Sequence, residues 1–212
     1  MQKTSKFDFK KALKDCYGAK PTPSLIRVPP LLFLAIEGSG NPNEPNGDYQ
    51  AALKALYTLS YSIKMSPKTK ALKDYTDYVV PPLEGLWWSK NPLEKEHFKW
   101  QMMIAQPHFV SHEVLQNASE EAARKKGLDS HSVRLLSFEE GLCVQILHCG
   151  SYDDEPQSVA KLEEFMARNA LVSDMGSTLG ERTHHEIYLS NPNKTPPHKL
   201  KTILRIPVRQ RD

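Results

Sequence analysis

Apolar and polar positions recur with two periods along this 212-residue chain. Between residues 48 and 65, Ala52, Leu53, Leu56, Tyr57, Leu59 and Ile63 fall at the spacing of one helix face. Between 155 and 169, Val159, Leu162, Phe165 and Met166 do the same. Residues 6–16 predict a short amphipathic helix, which Pro21 and Pro23 keep from continuing. Residues Ser119 to Lys126 predict a polar connecting helix. Strand patterns cover about 28–37, 74–89, 98–106, 183–189 and 201–208, with a bend or edge at Pro81-Pro82. Val133 to Phe138 and Leu142 to Cys149 flank Glu139-Glu140-Gly141 and predict a hairpin. Gly38, Gly40, Pro42, Pro45 and Gly47 predict a loop, with Asp48 as the cap of the helix that follows.

The order of elements repeats, and local echoes set a register. Trp87-Trp88-Ser89-Lys90-Asn91-Pro92 parallels Ile187-Tyr188-Leu189-Ser190-Asn191-Pro192. Lys99 to Ile104 parallels Lys201 to Ile206, and Glu37-Gly38-Ser39-Gly40 parallels Cys149-Gly150-Ser151-Tyr152. The predicted fold class is therefore α+β. Two pseudo-twofold-related βαββ repeats form a curved antiparallel sheet, with helices on one face and a central ligand cleft. A single domain over 1–212 is expected, with repeat one at about 26–106, a connector at about 107–132 and repeat two at about 133–208. In this register Trp88 stands opposite Tyr188, and Leu86 opposite Glu186.

Composition narrows the function classes. An apolar share of 39% and a charged share of 25% suit a folded soluble protein. The net charge of +3 is spread along the chain with acids interleaved, unlike the basic stripe of a nucleic-acid binder. No apolar run reaches membrane-spanning length, and Met1 to Ser5 leads into no signal-peptide core. Cys16, Cys143 and Cys149 cannot all pair, so a reducing cytoplasm is the expected location. Cys143 and Cys149 share a face of their strand and are expected to be buried.

Candidate chemistry concentrates in His184-His185-Glu186-Ile187-Tyr188-Leu189. Side chains alternate faces in a strand, so Glu186 and Tyr188 point one way and Ile187 and Leu189 the other. A carboxylate beside a phenol on the inner wall of a sheet is costly to bury without a task. A salt bridge from Glu186 to Arg205 is the structural alternative, and core packing is the alternative for Trp88 and Tyr188. Glu84 shares a face with Leu86 if the strand stays regular through Gly85, which places it in the pocket or at its rim. No His-x-x-x-His spacing occurs among His148, His184, His185 and His198, so no metal and no cofactor are expected. No Gly-x-Ser-x-Gly elbow marks a serine hydrolase, and Gly38-Ser39-Gly40 matches no phosphate or dinucleotide loop.

The chain resembles the GyrI-like family, small-molecule-binding domains also found behind the DNA-binding domains of multidrug-sensing regulators. The resemblance rests on Asp8 to Lys11, Val28-Pro29-Pro30 with Ile36 to Asn43, and Pro82-Leu83-Glu84-Gly85-Leu86-Trp87-Trp88. It continues through Trp100 to Ile104, Gln145 to His148, Tyr152 to Glu155 and His185 to Leu189. It implies a twofold-repeated sheet, a central pocket and a buried glutamate at Glu186. In the regulator branch that glutamate meets lipophilic cations. In a stand-alone branch with the Leu-Glu-Gly-Leu-Trp-Trp segment, it implies hydrolysis of cyclopropane-bearing DNA-alkylating natural products. Residues 1–24 are too short for a helix-turn-helix, and Trp87 and Trp88 are present, so the stand-alone branch is the expectation.

The expected partner is a flat aromatic or amphipathic small molecule, with no nucleic acid and no membrane. In the enzyme hypothesis Glu186 is the general base, with a pKa raised by burial among aromatics. Tyr188 orients the water or the glutamate. Trp87 and Trp88 stack on substrate, and Tyr152 or Tyr78 donates to its carbonyl. The alternative is a non-catalytic module that holds cationic drugs by cation–π and charge pairing. Gyrase inhibition by protein contact is a third option that only the family's name suggests.

Overall fold

The computed structural model describes residues 6–89, 94–178 and 180–211. Among the described residues nine strands lie in one antiparallel sheet: β1 (Ser24–Val28), β2 (Leu31–Ser39), β3 (Leu83–Trp88), β4 (Lys99–Gln106), β5 (Arg134–Phe138), β6 (Gly141–Cys149), β7 (Leu171–Ser173), β8 (His184–Tyr188) and β9 (Lys201–Gln210). Their order is β1-β6-β9-β8-β3-β4-β2-β5, with β7 added on β9. That order reads the same from both ends once β1 is matched with β5, β2 with β6, β3 with β8 and β4 with β9. The predicted pseudo-twofold repeat is therefore present, and its axis passes through the β3–β8 pair. The sheet does not close into a barrel.

The predicted hairpin does not form. β5 pairs with β2 (Leu34 opposite Leu135), while β6 takes β1 (Leu25 opposite Val144). Pro29-Pro30 separates β1 from β2. Both ladders keep one register, so β5 and β6 run antiparallel to β2 and β1 with Glu139-Glu140 opposite Pro29-Pro30, and Glu140 turns inward there to meet Arg205 at 2.6 Å. The outer strands are thus exchanged between repeats.

The helices are α1 (Phe9–Ala12), α2 (Lys14–Tyr17), α3 (Asp48–Met65), α4 (Pro67–Lys70), α5 (His112–Lys126) and α6 (Glu155–Arg168). The long repeat helices α3 and α6 cover one face of the sheet, as expected. α3 packs on Leu34, Met102 and Ile104; α6 packs on Val144, Ile146, Leu204 and Ile206. α1 and α2, outside the repeats, put Phe9, Cys16 and Tyr17 against the opposite face, on Phe33, Leu86, Trp88 and Ile187.

Several boundaries differ from the sequence pattern. The predicted helix over 6–16 is broken into α1 and α2. α5 begins at His112, where the Ser111 hydroxyl accepts from the Val114 amide at 3.3 Å, and it ends at Gly127 with φ 58°. α3 is preceded by Gly47, and no side-chain cap forms; Asp48 is its first residue. Residues 74–82 carry no strand beyond a single bridge between Phe7 and Tyr78. Cys16 and Cys143 are buried, but Cys149 is exposed at the end of β6. No helix among the described residues is long and apolar enough to cross a membrane.

Gly38, expected in a turn, lies in β2 beneath the Trp100 indole. A Cβ there would stand 2.1 Å from the ring. Gly38→Ala should therefore destabilise by about 1–3 kcal/mol through overpacking. A thermal melt unchanged from wild type would contradict this packing.

Candidate functional site

β3 and β8 meet on the axis with Gly85 opposite Glu186, Leu83 opposite Tyr188 and Trp87 opposite His184. The helix-covered face of this pair presents Trp87, His184, Glu186 and Tyr188 together. Glu186 and Tyr188 share a face, as the alternation predicted. The twofold relation, however, matches Trp87 with Tyr188 and Gly85 with Glu186. The sequence register was one residue out. Such a slip turns every side chain to the other face. Its Asn91-Pro92 anchor, with Lys90, lies outside the described residues.

Trp88 consequently does not line the pocket. It is 5% exposed and packs in the core on the opposite face. Glu84 does share a face with Leu86, and that face is also the one away from Glu186. Tyr78 is fully buried, edge-on to Phe109 and beneath the Lys64 ammonium, and makes no contact with Glu186 or Tyr188 among those described. Tyr152 does reach the site, its ring edge-on to Tyr188 at 6.1 Å between centroids. Arg205 cannot bridge to Glu186: it faces the other way and pairs with Glu140.

A chain of hydrogen bonds crosses the axis. The Trp87 indole N–H donates to the Tyr188 hydroxyl at 3.1 Å, and that hydroxyl donates to Glu186 Oε2 at 2.7 Å. Each donor polarises the next. His184 Nε2 lies 3.5 Å from Glu186 Oε1, and the Glu186 side chain is 14% exposed. Burial and the Glu186 charge hold the Tyr188 phenol well above its ordinary pKa, so it stays a donor. Tyr152 is pushed up to about 12 by burial and then by the Glu186 charge.

The aromatic wall extends through Tyr49, in the first turn of α3, with its ring 5.8 Å from Trp87. Phe98 closes the far side, 5.9 Å from Trp87. Sequence reasoning missed Tyr49, Phe98, His184 and Glu155. Tyr49 and Glu155 belong to the first turns of α3 and α6, and the N-termini of these matched helices converge on the axis. The repeat held that signal, had the two helix starts been superposed.

Gly85 gives the axis its asymmetry: one repeat offers a glutamate where the other offers no side chain. A Cβ at Gly85 would press within 3.0 Å of Trp87 Nε1 and of Met102.

Donor atoms of Glu155, His184 and Glu186 lie within 4.8 Å of one another, close enough to meet a common small species. His184 and Glu186 share β8, but Glu155 comes from α6, which is why linear spacing did not show the group.

On the opposite face of the sheet lies a second, wholly buried polar cluster. His185 sits between Glu84 at 3.2 Å and Glu140 at 3.0 Å, as ion-pair contacts whose N–H directions miss the hydrogen-bond line. Arg205 donates to Glu140 at 2.6 Å and to the Cys16 carbonyl at 2.6 Å. The Tyr17 hydroxyl donates to Glu84 at 2.6 Å. This cluster ties α2 to β3, β8 and β9 directly beneath the site.

Comparison with known proteins places this geometry. Residues 21–209 match the GyrI-like small molecule binding domain. An uncharacterized conserved protein from Listeria innocua has a similar structure, with 44% identity and a TM-score of 0.89 over 96% of this chain and 100% of that one. A hydrolase from Listeria innocua is also similar, at 44% identity and a TM-score of 0.87 over the same shares. The EcmrR C-terminal domain shares the fold alone, at 12% identity and a TM-score of 0.52 over 89% of this chain and 98% of that one. No curated protein matches. With a repeated antiparallel sheet and a match over nearly its whole length, the chain belongs to the GyrI-like small-molecule-binding domain family.

Proposed function

We propose that this protein hydrolyses the activated cyclopropane of flat aromatic, DNA-alkylating compounds, with Glu186 as general base. The observation that carries it is the Glu186 carboxylate, mostly buried, oriented by Tyr188 and walled by aromatic rings. The likeness to a Listeria innocua hydrolase at 44% identity supports a hydrolytic role.

The chemistry asks little of the protein. A water gives its proton to Glu186 as its oxygen attacks the cyclopropane methylene. The breaking C–C pair moves into the conjugated carbonyl, and the ring system becomes a phenolate. Tyr152 stays protonated across the neutral range and can donate to that oxygen as charge grows. Solvent then protonates the phenolate and relieves Glu186 of its proton. Trp87, Tyr49 and Phe98 offer faces for a flat substrate.

The same wall and carboxylate would hold a lipophilic cation without consuming it. Trp87→Ala separates stacking from chemistry. It removes a stacking face and the indole donor to Tyr188 but leaves the Tyr188–Glu186 bond, so KM should rise more than kcat falls. Trp88→Ala, acting on the opposite face, should lower stability rather than affinity. The converse result, with Trp88 governing KM, would move the pocket to the other side of the sheet.

A further inference from the structure

Glu155 faces Glu186 across the pocket, and the chemistry above gives it no task. It opens α6 directly after a turn at Tyr152–Asp154. Pro156 sits in the first helical turn, where no amide donor is needed and its fixed φ suits the start of a helix. This start presents Glu155 towards the axis. One of its carboxyl oxygens lies within 4.8 Å of a Glu186 oxygen. Its Oε1 is shut off from solvent without a hydrogen-bond partner.

We propose that Glu155 is a second working carboxyl of this site, sharing one water with Glu186. It rests on the hydrolytic function proposed above. Two groups that each bond a common water at about 2.8 Å, with a tetrahedral angle between them, stand about 4.5 Å apart. A separation within 4.8 Å admits one such water. Two carboxyls this close do not both ionise cheaply. The Tyr188 hydroxyl donates to Glu186, and His184 stands beside it. Burial, then the Glu186 charge, then Asp153 push the Glu155 carboxyl well above the usual range. The other groups facing it are His184, with a ring nitrogen within 4.8 Å, Tyr188 from β8 and Tyr152 from the preceding turn. On the β6 side His148 is engaged by Ser158 Oγ and the Ser151 carbonyl at 2.9 Å each. Glu155 is thus a neutral donor. Its O–H bonds one lone pair of the water, Glu186 accepts a proton from the water, and the second lone pair is left for the substrate carbon. Glu155 keeps its proton through the step.

The test combines infrared spectroscopy with turnover. At pH 7 the folded protein should show a protonated-carboxyl band that Glu155→Gln removes. Its kcat should fall at alkaline pH as Glu155 ionises, in a limb that Glu155→Gln abolishes. That variant should also lower kcat, because an amide is a weaker donor, and Glu155→Ala should lower it further, by about a hundredfold, as the water loses its place. A missing band, or an alkaline limb that survives Glu155→Gln, would overturn the proposal. So would tight uptake of zinc at pH 7 that Glu155→Gln abolishes, since a cation would then fill the gap. If the band is present but no cyclopropane is consumed by the native protein, the hydrolytic function fails and the neutral Glu155 stands.

Discussion

Replacing Glu186 with glutamine should lower turnover of a neutral cyclopropane-bearing aromatic by about a hundred- to ten-thousand-fold, the range for loss of a positioned general base. The amide matches the carboxylate in shape and can still accept from the Tyr188 hydroxyl. It cannot take a proton from water. Because stacking on Trp87 and Tyr49 is untouched, KM for a neutral substrate should change little. The effect is measured at saturating substrate, with circular dichroism to show that the fold is kept. Turnover within a few-fold of wild type would remove Glu186 from the chemistry.

A comparably large effect, on stability, is expected from the buried cluster on the opposite face of the sheet. Arg205→Met leaves Glu140 and Glu84 buried with only His185 to compensate them. Removing one partner of a buried ion pair costs about 3–5 kcal/mol, which denaturant unfolding would read directly. The Arg205 bond to the Cys16 carbonyl goes too, so α2 should loosen first. A loss below about 1 kcal/mol would mean that the cluster is not a charged one.

The same cluster sets a pH dependence. Burial alone would lower the His185 pKa, but Glu140 and Glu84 outweigh it and raise it from 6.5 to about 9. Its contribution is therefore fully present below pH 6.5 and lost as pH rises through about 9. Burial would raise Glu140, but Arg205 and His185 lower it from 4.5 to about 2. Its contribution is present above pH 4.5 and lost as pH falls towards 2. For these two groups, stability should be greatest between those limits. Melting temperatures unchanged between pH 6 and 10 would show that His185 is neutral in the fold.

Much of this arrangement was legible in the sequence. Helix periodicity placed the repeat helices, and two-residue alternation put Glu186 and Tyr188 on one face. The repeat located both at the axis. Legibility failed where a single residue decides the face. Trp87 and Trp88 are both plausible stacking residues, and the echo that set their register was anchored on Asn191-Pro192, in the loop after β8. Loops tolerate a change of length that strands do not. The exchange of β1 and β5 was beyond reach for another reason: strand pairing is non-local, and a turn-like Glu-Glu-Gly looks the same whichever partner the strands take. The buried cluster did leave a trace. Arg205 lies between Leu204 and Ile206, and Gln145 between Val144 and Ile146, so polar side chains recur at alternate positions of apolar strands. Glu155 left none, because a glutamate before a proline at a helix start is ordinary. Its meaning comes only from Glu186 across the pocket.

The central claim is that the pocket on the β3–β8 axis consumes its ligand rather than merely holding it. Incubating the protein with a molar excess of a neutral cyclopropane-bearing aromatic, and following its conversion to the ring-opened phenol, tests that most directly. Wild type should convert many equivalents per protein, and Glu186→Gln should convert little. At most one equivalent bound and none converted, with a cationic dye held tightly through Glu186, would contradict it and leave a sequestering module in its place.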